Sequence, residues 1–87
     1  MYVFFSISIR NGEYEYTSKS VHIIEQQDIT PQQAGDEYAK QFYNDVDSEP
    51  EETDEGFYFN GGEVCVWCDR AEEITEEQYN ILNKFIP

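Results

Sequence analysis

Residues 2–12, YVFFSISIRNG, decide the fold. Apolar and polar side chains alternate along the first nine of them, which is typical of a strand with one buried face. The residues on the apolar face are Val3, Phe5, Ile7 and Ile9. Asn11-Gly12 is a strong hairpin signal, because tight two-residue turns need positive φ angles. With these two residues as the turn, Ile9 would lie opposite Tyr14 and Ile7 opposite Tyr16.

The second strand of this hairpin changes parity along its length. Val21 and Ile23 are out of phase with Tyr14 and Tyr16. If all four side chains are to face the core, the strand needs one extra residue between them. We therefore expect a bulge or bend within residues 17–20.

Two segments carry the signals of a helix start. Thr30 is suited to the N-cap, Pro31 to the first helical position, and Gln33 to closing a capping box. This first helix is predicted to run to about residue 44. Thr75 and Gln78 form the same capping pattern at the start of a second helix near the end of the sequence.

Between the helices, residues 57–67 predict a second hairpin. With Gly61-Gly62 as its turn, Phe59 would face Val64 and Phe57 would face Val66. The predicted order is ββαββα. The expected architecture is α+β, a single domain over residues 1–87 with a four-stranded antiparallel sheet of two hairpins and both helices packed on one face.

Charge is the most unusual property of the sequence. Nineteen acidic residues face five basic ones, which gives a formal net charge of −14. Such a chain repels phosphate backbones and anionic lipids, so we expect basic proteins as partners and no direct binding to nucleic acid or membranes.

No run of about 18 apolar residues, the length that spans a bilayer, is present. The apolar N-terminus alternates as a strand does, and there are only two cysteines, so we expect a cytoplasmic protein.

The acidic residues form two clusters. The first is predicted to be a loop over residues 45–56 and contains Asp45, Asp47, Glu49, Glu51, Glu52, Asp54 and Glu55. The second contains Glu72, Glu73, Glu76 and Glu77, which would be i, i+4 pairs if all four were helical. In an extended chain alternate residues lie about 6.6–6.8 Å apart, similar to two steps along one DNA strand. A solvated linker, or an even acidic coat of the halophilic kind, would also place carboxylates on the surface, but the clustering disfavours the second alternative.

Other candidate sites are weak. Asp45, Asp47 and Glu49 match the opening of a calcium-binding EF-hand loop, but Pro50 and Gly56 occupy positions that require Gly and Glu. Cys65 and Cys68 form a C-x-x-C within a strand pattern, where the two side chains point to opposite faces, so we interpret them as structural. His22 is the only histidine. We predict no metal, no cofactor and no catalytic residues, and hence no enzyme.

Four aromatic residues lie opposite to the core residues of their strands: Tyr2, Phe4, Tyr58 and Trp67. If helices cover only the other face, these side chains would form an exposed patch for a partner or a second copy of the chain. Two functions therefore remain open. One is a small acidic inhibitor that imitates nucleic acid and occludes a basic groove, as anti-restriction, anti-CRISPR or nuclease-immunity proteins do; the analogy rests on size and charge alone. The other is a non-enzymatic adaptor, homodimeric in one version, that uses the aromatic face.

Overall fold

A computed structural model describes residues 1–42, 50–59 and 62–86. Its strands and helices are β1 (Tyr2–Asn11), β2 (Tyr14–Ile23), α1 (Pro31–Phe42), β3 (Glu51–Thr53), β4 (Gly56–Phe59), β5 (Val64–Ile74) and α2 (Glu76–Leu82). The predicted α+β class is confirmed. The predicted order and strand number are wrong, because the described residues form a five-stranded antiparallel sheet in the order β2-β1-β5-β4-β3.

The additional strand is β3, in a segment predicted to be a loop. Glu51 lies opposite Tyr58, and Thr53 lies opposite Gly56. Acidic residues have low β propensity, so this short strand forms because it pairs with the otherwise open edge of β4. Half of the predicted acidic loop is therefore a strand and a tight turn.

The first hairpin forms with a different register from the predicted one. Asn11 pairs with Tyr14 and Ile9 pairs with Tyr16, so the two-residue loop is Gly12-Glu13. Gly12 has φ +62°, a conformation that glycine adopts without steric cost. The β1–β2 ladder continues without interruption from Tyr14 to Ile23. The bulge predicted within residues 17–20 is thus wrong, and Val21 and Ile23 lie on the face opposite to the core.

The irregularity in the sheet lies between β1 and β5 instead. Ser6 pairs with Arg70 and Ile7 pairs with Cys68, which leaves Asp69 as the extra residue of a β-bulge. Because of this bulge, Cys68 and Ala71 both lie on the core face although they are three residues apart. The β4–β5 pairs Phe57–Val66 and Phe59–Val64 confirm the predicted register of the second hairpin.

The core lies between the sheet and α1. Its buried side chains include Val3, Phe5, Ile7, Ile9, Ala34, Ala39, Phe57, Phe59, Val64 and Val66. The helix approaches β5 closely at Gly35, where an added Cβ would lie 2.6 Å from Cys68 Sγ and 3.1 Å from Ala71 Cβ. Thr30 caps this helix as predicted: the Gln33 amide donates to Thr30 Oγ1 at 3.1 Å, and the Thr30 amide donates to Gln33 Oε1 at 2.9 Å.

Helix α2 packs on the other face of the sheet. The rings of Tyr79 and Tyr2 lie 5.1 Å apart, whereas α1 covers Phe5, whose ring is 5.5 Å from that of Tyr38. Tyr2 and Phe5 have opposite parity on β1, so the prediction that both helices share one face is wrong. The capping box at Thr75 and Gln78 is present as predicted. None of the helices in the described ranges is long and apolar enough to cross a membrane.

Candidate functional site

The first acidic cluster is divided between a strand and a turn. Glu51 and Glu52 lie on β3, and Asp54 and Glu55 form the turn into β4. Asp45, Asp47 and Glu49 lie outside the described residues. The turn is held by the Thr53 hydroxyl, which donates to the Gly56 carbonyl at 2.9 Å and accepts from the Glu55 amide at 3.2 Å.

Gly56 fixes how closely this turn approaches β5. Its φ is +140°, and a Cβ there would lie 2.6 Å from the Val66 carbonyl oxygen. A side chain at this position would therefore clash with backbone. The glycine lets the acidic turn lie directly against β5, beside Trp67.

Carboxylates from three segments surround one surface depression between α1 and the β3–β4 hairpin. We call this depression the acidic trough. Two adjoining hollows make it up, and they share Asp36, Glu52 and Phe57 as lining residues. Its carboxylates are Asp28, Asp36, Glu37, Glu52, Asp54 and Glu55. Lys40 is the one basic residue among the lining residues in the described part of the chain.

The fold explains why these residues meet. Glu52 pairs with Phe57, whose side chain is in the core, so Glu52 lies on the α1 side of the sheet. Asp36 and Glu37 lie between the small residues Gly35 and Ala39 of α1, and Gly35 lets this helix approach β5 closely. Sequence reasoning found Glu52, Asp54 and Glu55 but missed Asp28, Asp36 and Glu37. For Asp36 and Glu37 the available signal was their position beside the small residues Gly35 and Ala39 on a helix; Asp28 precedes the helix and gave no such signal.

The electrostatics of the described surface are dominated by unpaired carboxylates. Every Asp and Glu in the described ranges is exposed. One ion pair occurs among these residues, between Arg70 and Glu72 at 2.8 Å. The charge is also uneven along the chain. Residues 1–23 contain two acids and two bases, so the entire formal charge of −14 comes from residues 24–87.

The second acidic cluster lies away from the trough. Glu72 and Glu73 are on β5, whereas Glu76 and Glu77 are in the first turn of α2, so the expected helical i, i+4 pairs do not form. Trp67 lines the trough, and Glu72 is five residues farther along β5, about 16 Å at the usual rise of a strand. Glu76 and Glu77 lie at the positive end of the α2 dipole, which stabilises the helix start.

The four aromatic residues of the predicted patch lie on the face opposite to the core, and each is half-buried rather than exposed. Tyr2 packs against Tyr79, and Arg70 lies 6.0 Å from the ring of Phe4. The other two are held by carboxylates: Tyr58 donates to Glu55 at 2.6 Å, and Trp67 donates to Asp69 at 2.5 Å. The hydrogen bond to Glu55 is the main reason that the pKa of Tyr58 is raised. The most exposed large apolar side chains among the described residues are instead Tyr14 and Phe85, both 79% exposed.

The remaining candidate groups serve the fold. Cys65 and Cys68 are free thiols on opposite faces of β5, and burial raises the pKa of both. His22 packs against Tyr38 with 4.5 Å between the rings and bonds to Ser20 at 2.7 Å; burial lowers the pKa of His22. Within the described ranges, no group of three or more His, Cys, Asp or Glu side chains is arranged to hold a metal ion.

Comparison with known proteins gives no relative for this chain: no family model, no curated protein and no solved structure matches it.

Proposed function

We propose that this protein is a small acidic inhibitor that presents the acidic trough to a basic, nucleic-acid-binding groove of a target protein. The observation that carries the proposal is the convergence of six carboxylates from the α1 region, β3 and the β3–β4 turn around one depression. The α1 region and the β3–β4 hairpin are separate segments of the chain. A solvated linker does not account for the three acids that α1 and the segment before it contribute.

The mechanism is competitive occlusion. A charge of −14 concentrated outside the first hairpin steers the protein towards cationic surfaces and accelerates encounter. Lys and Arg side chains that normally contact phosphates then pair with the trough carboxylates.

The second acidic cluster and the aromatic face have secondary roles in this proposal. Glu72, Glu73, Glu76 and Glu77 strengthen long-range attraction. The aromatic side chains of the outer face support the fold more than an interface, because each packs against or bonds to a neighbour within the chain. An adaptor that binds through these aromatics is thereby less favoured.

Free thiols fit a reducing compartment, and we place the activity in the cytoplasm.

Two charge-matched variants test the proposal. The trough variant carries Asp36→Asn, Glu52→Gln, Asp54→Asn and Glu55→Gln. The control variant carries Glu72→Gln, Glu73→Gln, Glu76→Gln and Glu77→Gln. Both remove four negative charges, so a difference between them reports position rather than net charge.

Each protein is immobilised and incubated with cell lysate at about 50 mM and about 300 mM salt, and captured proteins are eluted with duplex DNA or RNA and identified by mass. The wild type and the control should capture a protein that nucleic acid elutes, with much weaker capture at the higher salt. The trough variant should lose this capture. Equal capture by all three proteins, or partners that nucleic acid does not elute, would refute the proposal.

A further inference from the structure

The free edge of β2 is the longest open backbone edge in the described sheet. This strand runs from Tyr14 to Ile23 and pairs only with β1 among the described strands. Its ladder with β1 has no bulge, and it contains no proline. Folded proteins usually shorten, bend or cover such an edge, because it is a template for pairing with another strand.

The backbone groups on that edge can be assigned residue by residue. Met1 and Ile24 exchange both backbone bonds, at 2.7 and 2.8 Å. Hydrogen-bonded and non-hydrogen-bonded pairs alternate in an antiparallel ladder. The even-numbered residues of β2 therefore bond to β1, and the odd-numbered residues direct their amides and carbonyls outward. These outward residues are Glu15, Thr17, Lys19, Val21 and Ile23.

The charges of β2 match those of a second, antiparallel β2. If Thr17 lies opposite Thr17 of a copy, Glu15 lies opposite Lys19 and Lys19 opposite Glu15. In this register the outward backbone groups of Glu15, Thr17 and Lys19 meet those of Lys19, Thr17 and Glu15 of the copy, so hydrogen bonds form over the centre of the strand without a change of face. Directly opposite side chains have Cβ atoms about 4.5–5.5 Å apart, close enough for both ion pairs. Centring the pairing on residue 15 or 19 would instead place like charges opposite each other.

The location of the charge removes the main obstacle to self-association. A net charge of −14 would normally keep two copies apart. Residues 1–23 carry no net formal charge, however, and β2 is the edge of that neutral hairpin. Tyr14 and Tyr16, 79% and 55% exposed, lie on the core face of the same strand and add apolar area beside the edge.

We infer that β2 pairs with β2 of a second copy and joins two five-stranded sheets into one ten-stranded sheet. The pairing is isologous, with a two-fold axis at Thr17. A lysine in the middle of an edge strand commonly prevents unwanted pairing. In this register Lys19 instead forms an ion pair with Glu15 of the second copy, so it favours pairing with that strand alone. This inference is independent of the acidic trough, because no residue of β2 lines it.

Charge reversal tests the pairing and its register together. Lys19→Glu would place two glutamates opposite each other twice in the dimer, and the dissociation constant should rise at least tenfold. Glu15→Lys combined with Lys19→Glu restores both ion pairs with reversed polarity and should return the constant to within about threefold of the wild type. Lys40→Glu on α1 makes the same change in net charge away from β2 and should leave the dimer intact.

Sedimentation equilibrium over about 1–500 μM measures the mass against the 10.3 kDa of one chain, and thermal melts check that each variant folds. Residue-resolved hydrogen exchange should show protected amides at Glu15, Thr17 and Lys19 in the wild type but not in Lys19→Glu. A monomer throughout this range would overturn the inference. A dimer that withstands Lys19→Glu, or one that the double variant does not restore, would also overturn it.

Discussion

Replacing Gly35 by alanine tests the contact on which the α1–sheet packing depends. In an isolated helix this change is stabilising by about 1 kcal/mol, because glycine has a poor helix propensity. In this protein the new Cβ would lie 2.6 Å from Cys68 Sγ, 3.1 Å from Ala71 Cβ and 3.4 Å from Phe5 Cδ1. The first distance is well inside van der Waals contact, and the second requires a shift of a few tenths of an ångström.

Overpacking of this kind costs about 1–3 kcal/mol. Subtracting the gain in helix propensity leaves a net destabilisation of about 1 kcal/mol. For a domain of this size, that lowers the melting temperature by about 4–8 °C. Urea denaturation followed by circular dichroism measures the free energy of unfolding directly.

A second variant isolates the cause. Cys68→Ala removes the sulfur atom that accounts for the closest contact, so Gly35→Ala introduced into that background should be neutral or stabilising. The double-mutant cycle should therefore give a coupling energy of about 1–2 kcal/mol between the two positions. Stabilisation of about 1 kcal/mol by Gly35→Ala in the wild-type background would refute the reasoning, since it would mean that α1 does not approach β5 this closely.

Four further predictions follow from other parts of the fold. Burial lowers the pKa of His22, so near pH 6.5 the unfolded chain takes up a proton that the folded chain does not. The free energy of unfolding should therefore fall as the pH drops below that value. Thermal melts at pH 7.5 and 5.5 should show this loss in the wild type but not in His22→Phe. Thr75→Ala removes the N-cap of α2 and should cost about 1 kcal/mol in urea denaturation. Asp69→Ala removes the acceptor shared by Ser8 and Trp67, so it should cost about 1–2 kcal/mol and shift the emission of the single tryptophan. Raising the salt from about 10 to 300 mM should raise the melting temperature, because screening weakens repulsion among exposed carboxylates.

Each of these predictions has a contrary outcome. The same pH dependence in wild type and His22→Phe would mean that His22 is not the group that takes up the proton on unfolding. Thr30→Ala removes the cap of the longer helix α1 and serves as the comparison for Thr75→Ala. If neither variant lowers the free energy of unfolding, the capping geometry is contradicted. An unchanged emission in Asp69→Ala would mean that this carboxylate does not bond to the indole. A melting temperature that does not rise with salt would show that self-repulsion is not significant.

The sequence predicted the elements whose signals are local. Both capping boxes depend on a few adjacent residues, and both are present. The register of the second hairpin followed from the pairing of Phe57 with Val66 and Phe59 with Val64. In the first hairpin, the observed register differs from the predicted one by two residues. A slip of two leaves every side chain on its original face, so the hydrophobic pattern does not distinguish the two registers.

The errors concern interactions between distant segments. Strand β3 has an acidic sequence and forms because β4 needs a partner at its edge, which local propensity does not reveal. The apolar side of α2 suits either face of the sheet, and its packing on Tyr2 depends on where β5 ends. For the same reason, the trough was only half predicted: Glu52, Asp54 and Glu55 stand out as a charged run, whereas Asp36 and Glu37 join them only once α1 packs on β5.

The most direct test of the proposed function is displacement of nucleic acid from the captured target. A fluorescently labelled DNA or RNA is bound to that target, and its anisotropy is followed while the acidic protein is added. The account predicts full, competitive displacement by the wild type and by the Glu72–Glu77 control variant, and none by the trough variant at the same concentrations. A stable ternary complex of target, nucleic acid and acidic protein would contradict it.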